Sequence, residues 1–172
     1  MATQTETQGP SWSHLLCIAG GVAVGSWAIR SQIEEAKKSR AELDDPDGAE
    51  EVLSDIGGLL DRWEPGTDCE TEDDFTRDLA EWLVENSEWE VEVYPSTREG
   101  KPDIVVGDLL ALELKRSPSK GEMDRCIGQC AGYSRQWITL MVIVDATATQ
   151  IGRLADLLAD KDLDQIGVWH FS

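Results

Sequence analysis

Apolar positions in the second half of this chain recur first at helical and then at strand spacing, and each period predicts an element. Phe75, Leu79, Trp82 and Leu83 share one helical face, and Thr71 with Asp73 and Asp74 supplies a capping-type start at the positive helix end. Three strand-type runs follow at 89–94, 103–106 and 110–116, separated by turn residues at 96–100 and by Gly107-Asp108. Ser119 with Glu122 forms a capping box for a helix reaching about Trp137. The run 138–144 is almost wholly apolar, which predicts a central strand covered on both faces. Thr147 with Gln150 opens a helix carrying Ile151, Leu154, Leu157 and Leu158, and a last strand spans about 166–171. The order αβββαβαβ predicts an α/β (α+β) fold, a mixed sheet with helices on both sides.

The first half reads differently. Residues 1–11 are a polar tail, and 12–30 hold an apolar run with Trp12 and Trp27 near its ends and Arg30 closing it. Eighteen helical residues rise ~27 Å, enough for a thin bilayer core. Gly21 and Gly25 form a small-xxx-small pair of the kind that packs spanning helices. Arg30, Lys37, Lys38 and Arg40 follow, while no Lys or Arg precedes, so the positive-inside bias leaves the bulk of the chain in the cytoplasm, anchored by one N-terminal span. A buried or docked apolar helix is the alternative. Residues 31–65 read as a helical stalk and linker, in which Val52, Ile56, Leu59, Leu60 and Trp63 make an amphipathic stripe. An acidic, turn-rich joint then leads to a compact domain over 66–172.

Composition narrows the function classes. The chain has 172 residues, with 34 Asp+Glu against 15 Lys+Arg and a formal charge of −19, so general charge-driven nucleic-acid binding is excluded and any binding must be local. So dense a carboxylate shell beside only six Lys resembles the surface of halophile proteins. At 41% hydrophobic residues with seven Trp, the chain is too apolar for intrinsic disorder. Cys17, Cys69, Cys126 and Cys130 have no disulfide or CxxC pattern, and His14 and His170 are far from them in sequence, which argues against zinc. The cysteines read as small buried residues in a reducing cytosol.

The chemistry concentrates at 101–115. Ile104 and Val106 fill one face of their strand, and Leu110, Leu112 and Leu114 one face of the next. Pairing Ile104 with Leu112 and Val106 with Leu110 lets both sets share a face. That register sets Asp103 opposite Glu113, with Lys115 on the same side, on a surface otherwise lined by Val105 and Ala111. A two-residue Gly107-Asp108 turn would throw the carboxylates to opposite faces, so the register requires a three-residue or bulged turn. Two carboxylates ~4–5 Å apart suit a hard divalent cation such as Mg²⁺. Metal-bound water can attack a phosphodiester, and a neighbouring lysine can orient or activate that water. On a solvated strand face the same residues would make only a surface ion pair.

Pro102-Asp103 and Glu113-Leu114-Lys115, on adjacent strands in this element order, resemble the signature of the PD-(D/E)XK nuclease superfamily, the restriction-endonuclease-like fold. The resemblance covers about residues 70–172. Gln129-Cys130-Ala131-Gly132-Tyr133 is similar to the glutamine-xxx-tyrosine motif of RecB-like and some archaeal resolvase-like members. The resemblance implies that Asp103 and Glu113 bind Mg²⁺, or Mn²⁺ in its place, with the Leu114 carbonyl as a further ligand. Lys115 would handle the nucleophilic water, and Gln129 and Tyr133 would support the metal shell or a DNA phosphate. The family often adds an acidic residue from the first helix; of Glu72, Asp74, Asp78 and Glu81, Asp78 or Glu81 is favoured. The bland alternatives are a hydrogen-bonding pair for Gln129 and Tyr133 and a solvated helix face for Asp78 and Glu81.

Charge placement agrees with DNA as substrate. Between Arg98 and Arg135 the net charge is +1, while the rest of the chain carries −20. Arg116, Lys120 and Arg125 lie in this window and are candidates for phosphate contact. The expected function is thus a Mg²⁺-dependent endo- or exodeoxyribonuclease of DNA repair, recombination or restriction, and the resemblance to resolvases and restriction enzymes, many of which act as dimers, adds a homodimer as an expected partner. Two other classes compete: an inactive nucleic-acid- or partner-binding module of the same fold, and a membrane-anchored acidic interaction protein that mimics DNA.

Overall fold

A computed structural model describes residues 18–19, 22–23, 46–163 and 165–171. The first of these form a two-residue antiparallel pair, β1 (Ile18–Ala19) with β2 (Val22–Ala23). They fall inside the run expected to make a spanning helix, and at these four positions the chain is paired strand instead. The physical reason is local: Ile18 and Val22 are β-branched, and glycine at 20 and 21 costs a helix about 1 kcal/mol each. The rest of the tail, span and charged segment up to residue 45 lies outside the described residues. Among the described residues no helix is long and apolar enough to cross a membrane.

From residue 46 the order is α1 (Pro46–Leu60), α2 (Glu72–Asn86), β3 (Val91–Val93), β4 (Ile104–Val106), β5 (Leu110–Arg116), α3 (Lys120–Tyr133), β6 (Ile138–Val144), α4 (Ala148–Asp160) and β7 (Ile166–Phe171). It is a mixed α/β protein: β3 to β7 lie in sequence order in one sheet, antiparallel across β3-β4-β5 and parallel across β5-β6-β7. Capping boxes start three of the helices, at Thr71 with Asp74, Ser119 with Glu122 and Thr147 with Gln150. β6 is buried at every residue, as its unbroken apolar run requires of an interior strand.

Alternation along the strands divides the core. Ile104, Val106, Leu110, Leu112, Leu114, Leu140 and Val142 face α1 and α2, whereas Met141 and Ile143 face α3 and α4. Helix α1 therefore corrects the expected boundary at residue 66. Val52, Leu53, Ile56, Leu59, Leu60 and Trp63 are at most 4% exposed and belong to the main core, not to a stalk. Five strands ~4.8 Å apart present a face too wide for one helix of ~10 Å diameter, so α2 alone would leave half of it wet.

The β4–β5 connection has the three-residue form the register demands. Val106 pairs with Leu110, and the Leu109 amide donates to the Val106 carbonyl at 3.1 Å. Gly107 (φ 59°) and Asp108 (φ 55°) are both left-handed, the two-residue core of an I′-type turn, with Leu109 as the extra residue. A Cβ on Gly107 would lie 2.7 Å from Cε3 of Trp89, so close packing as well as φ calls for glycine.

Candidate active site

At the carboxyl end of β5 the strand outruns its partner. The last β4 pair is Ile104 with Leu112, which leaves the Leu114 amide beyond the ladder. Oδ2 of Asp103, one residue before β4, accepts from that amide at 2.8 Å. Asp103 is thereby turned into the sheet end with its side chain only 16% exposed. Glu113 and Lys115, two apart on β5, point to the same face, away from the Leu112 and Leu114 side. They are 2% and 4% exposed.

Three carboxylates surround one ammonium. Nζ of Lys115 lies 2.8 Å from Oε1 of Glu72, 3.1 Å from Oε1 of Glu113 and 3.8 Å from Oδ2 of Asp103. It also donates to the Leu114 carbonyl at 2.5 Å. Oε2 of Glu113 is buried with no hydrogen-bond partner. Burial, and next the charge of Asp103, push the Glu113 carboxyl up to about 7 despite Lys115. Burial also raises Asp103, against the pull of Lys115 and the Leu114 amide. At Lys115 burial works against the charge, but Glu113, Glu72 and Asp103 outweigh it and its pKa rises. Fully ionised, the cluster of Glu72, Asp103, Glu113 and Lys115 keeps two uncompensated negative charges.

Glu72 is the residue the sequence reading passed over in favour of Asp78 or Glu81. Asp78 accepts from Nε1 of Trp63 at 2.7 Å and from the Gly66 amide at 3.3 Å, tying the linker to α2. Glu81 is exposed and lines a groove with Arg77, Val84 and Val93. Neither joins the cluster. Helical geometry explains why: Glu72 extends the buried stripe of Thr76, Leu79 and Leu83 by one turn, whereas Glu81 is nine residues on, half-way round the helix. That stripe was the sequence signal for Glu72. Asp74 is occupied as the N3 residue of the capping box.

Gln129 and Tyr133 do come together. Nε2 of Gln129 lies 3.4 Å from the Tyr133 hydroxyl, and Tyr133 packs with Val105, Ala111 and Trp137 on the sheet face that carries Glu113. Burial, then the charge of Glu113, push the Tyr133 phenol up to about 12, so it remains a neutral donor beside the carboxylates. Arg116 is committed elsewhere, to Asp145 at 2.8 Å, to the Glu70 carbonyl and to the face of Phe75. Lys120 and Arg125 are exposed on α3. Cys126 and Cys130 are buried free thiols one turn apart.

No protein-family model, curated protein or solved structure matches this chain. Its chemistry has to be read from its own side chains. Among the described residues no three His, Cys, Asp or Glu side chains converge as a ready-made metal cage. Mg²⁺ does not demand one, because it commonly takes one or two carboxylates and keeps several waters. The donors at this sheet end are hard oxygens, one of them an unsatisfied buried carboxylate atom, in a cluster short of two positive charges. That set fits Mg²⁺ or Mn²⁺ and not a soft metal.

Proposed function

We propose that this protein is a Mg²⁺-dependent nuclease that hydrolyses DNA phosphodiester bonds, built on a restriction-endonuclease-like core. The observation that carries the reading is the buried Asp103–Glu113–Lys115 arrangement with the orphaned Glu113 Oε2. Asp103 and Glu113 outnumber Lys115 at the buried centre by one negative charge, and half-exposed Glu72 adds another at its edge, an excess that is costly unless a cation or protons offset it. Asp103 and Glu113, with the Leu114 carbonyl, would hold the metal. Bound there, Mg²⁺ supplies a water of lowered pKa and stabilises charge developing on the phosphate. Lys115 orients the attacking water and offsets the negative charge, Glu72 holds Lys115, and Tyr133 donates a hydrogen bond. Lys120 and Arg125 are exposed for backbone phosphates, whereas Arg116 is assigned a structural role.

A second reading has its own observation. Because Lys115 already touches oxygens of Glu72, Asp103, Glu113 and Leu114, the ammonium can serve as a permanent counter-ion in a binding module that cleaves nothing. The test is incubation of the full chain with plasmid, single-stranded and branched DNA in Mg²⁺ or EDTA. The nuclease reading expects cleavage in Mg²⁺ that EDTA, Glu113→Ala and Lys115→Ala each abolish. Cleavage that survives these changes discards the site. DNA binding without cleavage of any substrate selects the second reading.

A further inference from the structure

Tyr94, the residue after β3, has φ 52°. Left-handed backbone is rare for an aromatic residue, and the following Pro95 normally demands an extended conformation before it. Such a conformation persists only where the surroundings over-determine it. Here they do. The Tyr94 amide donates to the Asp103 carbonyl at 2.8 Å, and its hydroxyl donates to Oδ1 of Asp73 at 2.5 Å. Nζ of Lys101 lies 5.1 Å from the ring centroid. Asp73 is held in turn by Arg77 at 2.8 Å. The two hydrogen bonds meet a residue at or next to the cluster: Asp103 itself, and Asp73, which is adjacent to Glu72.

We propose that Tyr94 is a positioning residue, clamping the first turn of α2 to the start of β4 so that Glu72 reaches Lys115 while Asp103 faces Glu113. Glu72 needs such a tie, because it is the most exposed member of the cluster, with 45% of its side chain accessible, and sits at a helix end that would otherwise fray. The Tyr94 phenol, pushed up to about 12 by burial and then by Asp73, remains a protonated donor across the working pH range. For its catalytic consequence the role rests on the nuclease reading; its geometry does not.

The test uses the full chain and follows the ¹⁵Nζ resonance of Lys115 beside cleavage of DNA in Mg²⁺. Tyr94→Phe removes the hydroxyl, Asp73→Ala removes its acceptor, and Asp73→Asn keeps an acceptor oxygen. Tyr94→Phe and Asp73→Ala are expected to shift the Lys115 signal toward its position in Glu72→Gln, and Asp73→Asn to leave it in place. The double variant Tyr94→Phe/Glu72→Gln is expected to match Glu72→Gln alone, since Tyr94 acts through Glu72. Turnover in Tyr94→Phe falls by roughly 3- to 10-fold with KM unchanged, as expected for a misplaced group. A wild-type Lys115 signal in Tyr94→Phe, or additive effects in the double variant, overturns the proposal. The coupling without any cleavage removes the nuclease reading and leaves the clamp; cleavage without the coupling does the reverse.

Discussion

Glu113 gives one carboxylate oxygen to Lys115 at 3.1 Å and leaves the other buried and unpartnered. The half-satisfied acid is the feature from which the chemistry of this protein is most directly testable.

The pH dependence follows from its sign. An acid whose folded pKa is raised stabilises the fold below its ordinary value, here 4.5, and loses that contribution as pH climbs to about 7. Without divalent cations, stability is expected to fall across that window by at most about 1.4 kcal/mol per pH unit and then level off. The raised pKa of Lys115 acts in the alkaline range, where its stabilisation is lost as the ammonium deprotonates. Since a bound cation holds Glu113 ionised, the rise in Tm produced by Mg²⁺ is expected to be larger at pH 8 than at pH 5. Urea titrations and melting curves across pH 4–9 check both, and a flat profile contradicts the buried carboxylate.

Lys115→Met removes the single ammonium among three carboxylates. It is expected to abolish cleavage and to destabilise the metal-free protein by roughly 3–5 kcal/mol. Mg²⁺ should restore more of the lost Tm in this variant than it adds to the wild type, which differential scanning fluorimetry measures directly.

Glu72→Gln and Asp78→Asn separate the helix residue at the site from the one the sequence favoured. Glu72→Gln is expected to lower turnover with little change in Tm. Asp78→Asn should leave turnover intact and lower stability by about 1–2 kcal/mol through its weakened bonds to Trp63 and Gly66.

Leu60→Ala is expected to cost about 2–5 kcal/mol, as for a fully buried core leucine. A fragment beginning at residue 66 should fail to fold, because it lacks every core side chain of α1. Circular dichroism of both proteins decides whether α1 is core or stalk.

Gly107→Ala forces a Cβ to 2.7 Å from Trp89 and a left-handed φ on alanine. A loss of about 1–3 kcal/mol is expected, with cleavage retained at temperatures where the variant is folded.

The legible parts of this chain are those governed by local periodicity. Strands β5, β6 and β7 run where the apolar patterns put them, and the capping boxes at Thr71, Ser119 and Thr147 start their helices. The register of Ile104 with Leu112 was also readable, because it keeps Leu110, Leu112 and Leu114 on the core side with Val106, whereas a one-residue slip would not. Asp103 facing Glu113 follows from it. The choice among the acids of α2 was not readable from motif spacing; only the stripe of Thr76, Leu79 and Leu83, which Glu72 extends by one turn, pointed to it. The role of Arg116 was hidden too, because its partners Glu70 and Asp145 are distant in sequence.

By itself, then, the amino-acid order determined the alternation of elements, the register of the central hairpin and the grouping of Asp103, Glu113 and Lys115 on one face. The reason is that each depends on side chains within a single element or a single hairpin. Only the folded chain decided that α1 completes the core, that Glu72 and not Asp78 or Glu81 meets Lys115, and that Tyr94 joins the two segments. Those outcomes depend on how a helix is rotated and set down on a sheet, which is settled by packing between surfaces remote in sequence.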